Sequence, residues 1–334
     1  MTTLLTGRRV AVIGATGFIG SHLVERLVAD GAEVLAIART RDRLDHLSAV
    51  RHACAVALCD ITAGAHVRRL LHMFRPDTVF HLAAHPDAAE SFAHMSTCLQ
   101  VNTLGVVNVL DAAAESGARL LVFGDSCKVY GNSGVPYGVA TPARPICSYA
   151  VAKAAAWQLC LVAAASSPLR VVGLRPTFVY GPRQTWNLIT YIQSCVAAGR
   201  PVSLQGGSQT RDPLYVADAV DAFVAAASRP EAHGQAIPIG GGMEISVADL
   251  SDRVLATLGS SLRPVIGGDA PRPTEIWRSV SDNHDALALL RWRPRVTLAD
   301  GLRRTLNASV AMSPLTSRDV SRDADTDHVR VVVP

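Results

Sequence analysis

The 334-residue sequence has no concentration of charge. Its 32 Lys and Arg against 28 Asp and Glu leave a formal net charge of +4, and the basic residues are scattered. A nucleic-acid partner calls for a basic patch, so nucleic acid is not expected as the main ligand. The 7 cysteines contain no C-x-x-C pair and no zinc-type spacing. An odd set of scattered thiols fits a reducing cytoplasm better than a disulfide framework. No uninterrupted apolar run is long enough to cross a bilayer, and the first nine residues lack the apolar core of a signal peptide. These absences lead to the expectation of a soluble cytoplasmic protein without a membrane partner. With 49% hydrophobic and 18% charged residues, there is enough for one large α/β domain or a main domain carrying a smaller lobe.

The densest signal opens the chain. Val10 to Ile13 reads as a buried strand, and glycines follow at Gly14, Gly17 and Gly20. Ile19, Leu23, Leu27 and Val28 then recur at helical spacing. Strand, glycine turn and helix in that order make a phosphate cradle: glycines let backbone approach a pyrophosphate, and the N–H groups at the helix start face its charge. A dinucleotide site is expected here. A second apolar run spans residues 33–38, where a Rossmann unit places its second strand. An acidic residue normally holds the adenosine ribose at its end, but the chain reads Ala38, Arg39, Thr40, Arg41. Arg39 and Arg41 suit a 2′-phosphate and favour NADP over NAD, and the alternative is a solvated basic turn.

Residues 55–58, 77–84 and 119–123 read as three further strands, with helical periodicity over 101–115. Asp60, just past the third strand, is placed to meet the adenine amino group. His81 and His85 are four apart but straddle a strand end, so no metal site is expected. The strand–helix alternation predicts an α/β fold with a doubly wound parallel sheet. After about residue 181, prolines and glycines multiply between shorter elements, which suggests a smaller lobe interleaved with the end of the sheet. The expected divisions are 1–180 for the dinucleotide-binding domain, with a returning segment near 213–240, 181–312 mainly for a substrate lobe, and a polar, disordered tail over 313–334.

A second cluster, Asp125 to Gly131, follows the fifth strand, and Tyr149 and Lys153 lie four apart on one helix face. An ammonium beside a phenol stabilises the phenolate, so Lys153 is expected to lower the Tyr149 pKa. A Tyr so tuned exchanges a proton with a substrate hydroxyl while hydride moves at the nicotinamide, and Ser126 donates a hydrogen bond to the same oxygen. The bland alternative is an exposed helical pair.

At these residues the chain resembles the extended short-chain dehydrogenase/reductase superfamily, and within it the NAD-dependent epimerase/dehydratase family that acts on nucleotide sugars. The matching residues run nearly end to end. They are the glycine turn, Phe80 to Ala84, Asn102 opening a helix, Ser126 to Gly131, Tyr149 with Lys153, and Leu174-Arg175-Pro176 running into Val179-Tyr180-Gly181-Pro182. Residues 206–218 around Arg211 and Asp212, and Leu290 to Pro294, complete the set. The resemblance implies a Rossmann-type fold with NAD or NADP against Gly14, Gly17, Phe18, Ile19, Gly20, Asp60, Ile61, Leu82, Ala83, Ala84, Asn102, Tyr149 and Lys153. It implies a nucleotide-sugar substrate against Ser126, Phe178, Arg211 and Arg272, the two arginines gripping its diphosphate. The alternative for both is a surface arginine. It also implies a homodimer through the helices near 102–115 and 149–165.

Four departures from the family pattern stand out, the last of them a pair of residues. Ile13 stands where many members carry Thr, Ala38 replaces the acidic ribose ligand, and Phe178 replaces an Asn that touches substrate. Cys127 and Lys128 stand where 4,6-dehydratases carry an Asp-Glu acid–base pair. The expected activity is a nucleotide-sugar epimerase working by transient oxidation, at C4 above other carbons. The alternatives are an NADPH-dependent keto-sugar reductase, a dehydratase using Cys127 and Lys128, and a non-catalytic NAD(P)-binding protein. Retention of Ser126, Tyr149 and Lys153 weighs against the last.

Overall fold

The computed structural model describes residues 5–86, 90–134, 136–267 and 273–311, with side chains to residue 308. The polar tail over 313–334 lies outside the described residues. The first half runs β1 (Arg9–Ile13), α1 (Phe18–Ala29), β2 (Glu33–Ala38), β3 (Ala55–Leu58), α2 (Gly64–Phe74), β4 (Thr78–His81), α3 (Phe92–Leu99), α4 (Gly105–Glu115), β5 (Leu120–Gly124), α5 (Ser148–Ser166) and β6 (Arg170–Pro176). The second half runs β7 (Phe178–Tyr180), α6 (Leu188–Ala197), β8 (Val202–Leu204), β9 (Thr210–Arg211), β10 (Pro213–Tyr215), α7 (Val216–Ala226), β11 (Ala236–Ile239), β12 (Ile245–Ser246), α8 (Val247–Thr257), β13 (Pro264–Ile266), α9 (His284–Leu290) and α10 (Leu298–Ala311).

Seven strands form one parallel sheet in the order β11-β6-β5-β4-β1-β2-β3. A parallel sheet is buried on both faces, so its strands are apolar throughout. Alternate residues go to opposite sides. Val10, Val12, Val34, Ala36, Leu120 and Val122 join one core with Leu23 and Leu27 of α1 and Phe223 of α7. Their neighbours Ala11, Ile13, Leu35, Ile37, Leu121 and Phe123 join the other with Val67 and Leu71 of α2, Val106 and Val109 of α4, and Trp157 of α5. The fold is therefore the doubly wound Rossmann type. Its strand order reverses between β1 and β4, the point at which such sheets bind ligands.

The remaining strands build a lobe on the carboxyl side. β7 pairs with β10, β9 with β12 and β8 with β13. A third core, with Ile189, Ile192, Leu250, Val254, Leu302 and Leu306, holds α6, α8 and α10 together. After β10 the chain returns to the sheet, where α7 packs on α1 and β11 becomes the seventh strand.

One local expectation needs correction. Asn102 does not open a helix: it lies in a π turn, Gln100–Leu104, that joins α3 to α4 without a break. The apolar helix α5 is no uninterrupted apolar run, because Lys153 and Gln158 break it. Among the described residues α5 alone is long and apolar enough to span a bilayer, but it carries Lys153 and packs on β6, α3, α4 and the π turn.

Candidate active site

The cradle is built where β1 and β4 part. Gly14 has φ +87°, and a Cβ on it would lie 2.6 Å from the Ala83 nitrogen and 2.8 Å from the Leu82 carbonyl carbon. The turn after β1 thus touches the backbone after β4, and a side chain would drive them apart. A Cβ on Gly20 would lie 2.1 Å from the Gly14 oxygen, so the first turn of α1 is drawn hard against the loop. Gly17 caps α1, and Phe18 and Ile19 begin it. Its first-turn N–H groups have no intrahelical acceptor and carry the positive end of the helix dipole. A cradle that any Cβ would fill, ending on a helix N-terminus, fits a dinucleotide pyrophosphate.

Arg39 and Arg41 are exposed in the bend that follows β2. Asp60, exposed after β3, accepts the Thr62 N–H and hydroxyl at 2.8 Å each, so its carboxylate closes a turn. Ile61 is buried beside Gly105, whose Cβ would meet it at 2.7 Å. Leu82 donates its N–H to the Ile13 carbonyl, and Ala83 and Ala84 follow as half-buried backbone. Asn102 is fully buried and binds both sides of the His85 backbone, accepting its N–H at 2.7 Å and donating to its carbonyl at 3.0 Å. Its amide pins the loop after β4. His81 is also fully buried, and its ring stacks on Phe123. Burial with Lys153 nearby pushes its pKa down to about 3, so the ring is neutral.

The residues expected to be catalytic converge at the carboxyl end of β5. Lys153 is 1% exposed, and its Nζ donates to the Gly124 carbonyl at 2.6 Å, with the Phe123 ring 4.7 Å and the Tyr149 ring 5.9 Å away. Ser126 caps a 3-10 turn, Cys127–Tyr130, by accepting the Lys128 N–H. The electrostatics correct the expectation that Lys153 lowers the Tyr149 pKa. Burial pushes the Tyr149 phenol up, Asp125 pushes it further, and only the hydrogen bond with Ser126 is a notable opposing influence. Burial lowers Lys153 itself to about 8. In the protein alone, desolvation of both groups outweighs their mutual attraction.

A cavity of about 230 Å3 opens beside this group, lined by Ser126, Cys127, Lys128, Tyr149, Phe178 and Arg211 among others. Cys127 is buried with its Sγ 3.6 Å from the Ser279 hydroxyl, and burial raises its pKa, so it is a neutral thiol. The Lys128 ammonium lies 5.5 Å from the centre of the Tyr149 ring. Arg211 donates to Glu275 at 2.6 Å and to the Ile276 and Thr210 carbonyls at 2.8 Å. Its guanidinium is held by a carboxylate in the cavity wall. Arg272 lies outside the described residues.

Sequence reasoning missed two partners and one count. Asp125 was quoted without a role. It is buried and accepts from Arg175 Nε at 2.6 Å, and Arg175 also donates to the Tyr130 hydroxyl at 3.1 Å. A lone charge at the end of each of two apolar strands was the available signal, because buried charges need partners. Glu275 had no such signal. The count concerns lysine: of the 32 Lys and Arg residues only Lys128 and Lys153 are lysines, and both flank Tyr149.

A model of the NAD dependent epimerase/dehydratase family matches residues 10–240. A UDP-glucose 4-epimerase of Mycolicibacterium smegmatis is 33% identical over 308 residues, covering 89% of this chain and 97% of the relative. The solved UDP-glucose 4-epimerase of Thermotoga maritima with UDP-glucose superposes with a TM-score of 0.85 at 26% identity, covering 91% of this chain and 99% of the other. That of Thermus thermophilus, in complex with NAD, gives 0.82 at 30% identity over 90% and 98%. Their agreement over nearly the whole length, on a sheet whose reversal point carries the cradle, assigns this enzyme to the NAD dependent epimerase/dehydratase family.

Proposed function

We propose that the protein is an NAD(P)-dependent nucleotide-sugar epimerase that acts by transient oxidation at a sugar hydroxyl carbon, C4. The observation that carries this reading is the convergence of Ser126, Tyr149 and Arg211 on one cavity, with Lys153 behind Tyr149 and the glycine cradle at the same sheet end. The cofactor, which the glycine cradle would hold, would supply the hydride acceptor and donor for oxidation and reduction at that carbon. Tyr149 removes the hydroxyl proton during oxidation and gives it back during reduction, and Ser126 hydrogen-bonds the same oxygen. Lys153 offsets the phenolate charge. Arg211 exchanges Glu275 for the substrate diphosphate, for which its planar donors suit paired oxygens. Relatives that act on nucleotide sugars support the substrate class.

Two alternatives keep a specific observation each. Arg39 and Arg41 favour an NADPH-dependent reductase, and Cys127 with Lys128 in the cavity favours a dehydratase that lacks the usual carboxylates. Incubation with a panel of nucleotide sugars and keto-sugars, with NAD or NADPH, separates all three by product mass and NMR. Unchanged mass with inverted stereochemistry is expected. Loss of water would instead make it a dehydratase, and gain of two hydrogens a reductase.

The solved neighbours hold NAD, whereas the arginine bend favours the 2′-phosphate. Tighter binding of NADPH than NADH is expected, erased in Arg39→Ala/Arg41→Ala. Equal affinities in the wild-type protein refute phosphate pairing.

We also propose a homodimer through α4, with the π turn before it, and α5, supported by exposed Leu104 in that turn, Val107 on α4, and Val151 and Val162 on α5. Sedimentation at micromolar concentration should give a dimer, and a monomer counts against this interface. The seven free thiols support a cytoplasmic location.

A further inference from the structure

Three consecutive residues at the end of β5 each engage a different charged or reacting side chain. The Gly124 carbonyl accepts from Lys153, the Asp125 carboxylate accepts from Arg175, and the Ser126 hydroxyl meets Tyr149. We propose that Asp125 is a positioning residue of the catalytic group: clamped by Arg175, its buried carboxylate is the counter-charge that keeps the Lys153 ammonium charged beside Tyr149.

The geometry leaves Asp125 little choice of conformation. Its N–H donates to the Leu174 carbonyl at 2.8 Å, tying it to β6, and its Oδ2 lies 2.6 Å from the guanidinium of Arg175 on the same strand. Burial pushes the Asp125 carboxyl up, and the Arg175 guanidinium, which stays charged, opposes that shift and favours the anion. The second oxygen, Oδ1, is buried with no hydrogen-bond partner among the described residues.

The groups facing Lys153 come from three elements. β4 contributes His81, which is neutral at physiological pH. α5 contributes Tyr149 and Cys160, the first pushed up by burial and the second raised to about 12, so both are protonated. The segment ending β5 contributes the Phe123 ring and Asp125. Asp125 is therefore the anion in this set, and it pulls the Lys153 pKa upward against burial. Around Tyr149, Asp125 acts with Cys127 and Cys147 against the phenolate, while Lys128 and Lys153 lie 5.5 and 5.9 Å from the ring. One carboxylate thus holds both members of the pair in their protonated forms at rest. Tyr149 is a proton donor until a ligand changes the balance.

The inference rests on reading Tyr149 and Lys153 as the catalytic pair, but its test needs neither substrate nor cofactor. A failed turnover assay and a failed titration are therefore distinguishable. Because the chain has two lysines, protein labelled with 13C-lysine gives two Cε resonances, and Lys128→Arg assigns the one from Lys153. In wild type that resonance should titrate near 8. In Asp125→Asn the midpoint should fall by about one pH unit or more, as expected when a buried opposite charge is removed. Asp125→Asn leaves Arg175 buried without its partner and risks misfolding. Asp125→Asn/Arg175→Gln removes both charges with similar shape and should show a smaller shift in the same downward direction, since the Arg175 cation that opposed the ammonium is lost as well. An unchanged Lys153 midpoint in either folded variant overturns the proposal.

Discussion

Replacing Tyr149 with Phe should lower kcat by about 10²- to 10⁴-fold, the usual worth of a positioned acid–base group. The substitution removes one hydroxyl and keeps the ring that lies between Lys128 and Lys153, so the thermal midpoint and cofactor affinity should stay close to wild type. The nucleotide sugar identified by product analysis is the substrate to use, with turnover and cofactor binding measured on the same preparation. Wild-type kcat in Tyr149→Phe would remove Tyr149 from the chemistry. The pH profile carries a second sign. Lys153 is depressed from 10.5 to about 8, so its ammonium is present below that pH and lost above it. Activity that depends on the ammonium should decline as pH rises through about 8.

Gly14→Ala is expected to be strongly damaging to the cofactor cradle. A left-handed backbone costs a non-glycine residue about 1–2 kcal/mol. Gly117, at φ +81° with nothing within 4 Å of a Cβ, provides a control for that conformational cost alone. Gly14 bears the same cost and a methyl group 2.6 Å from the Ala83 backbone. Gly14→Ala should therefore lower the thermal midpoint more than Gly117→Ala does, and should weaken NAD(P)H binding at least tenfold, about 1.4 kcal/mol. Gly117→Ala should leave cofactor affinity intact. Equal affinity in Gly14→Ala and wild type would mean that the close approach of the two loops does not shape the cofactor site.

The parts legible beforehand were those that depend on local spacing. Short apolar runs marked the strands, glycines at 14, 17 and 20 marked the cradle, and an i, i+4 pair placed Tyr149 and Lys153 on one face of α5. Desolvation was not legible. The direction of the Tyr149 shift depends on how deeply the sheet end is covered and on Asp125, and neither follows from helical spacing. The same holds for pairings made across the chain. Arg175 meets Asp125 from 50 residues away, and Arg211 meets Glu275 from 64. Asn102 was read as opening a helix, but a π turn aims it onto the His85 backbone, and nothing in the residue types announces a π turn.

The seventh strand has a consequence for how the chain is made. β6 ends at Pro176 and its outer neighbour β11 begins at Ala236, 60 residues later. At about 5–20 residues per second on the ribosome, β6 waits roughly 3–12 s as a bare parallel edge before its neighbour emerges. Bare edges invite pairing with other chains. Within that interval the nascent chain must rely on chaperones, or on burial of its helices, to keep that edge from other polypeptides, and a polypeptide cut short before Ala236 never covers it.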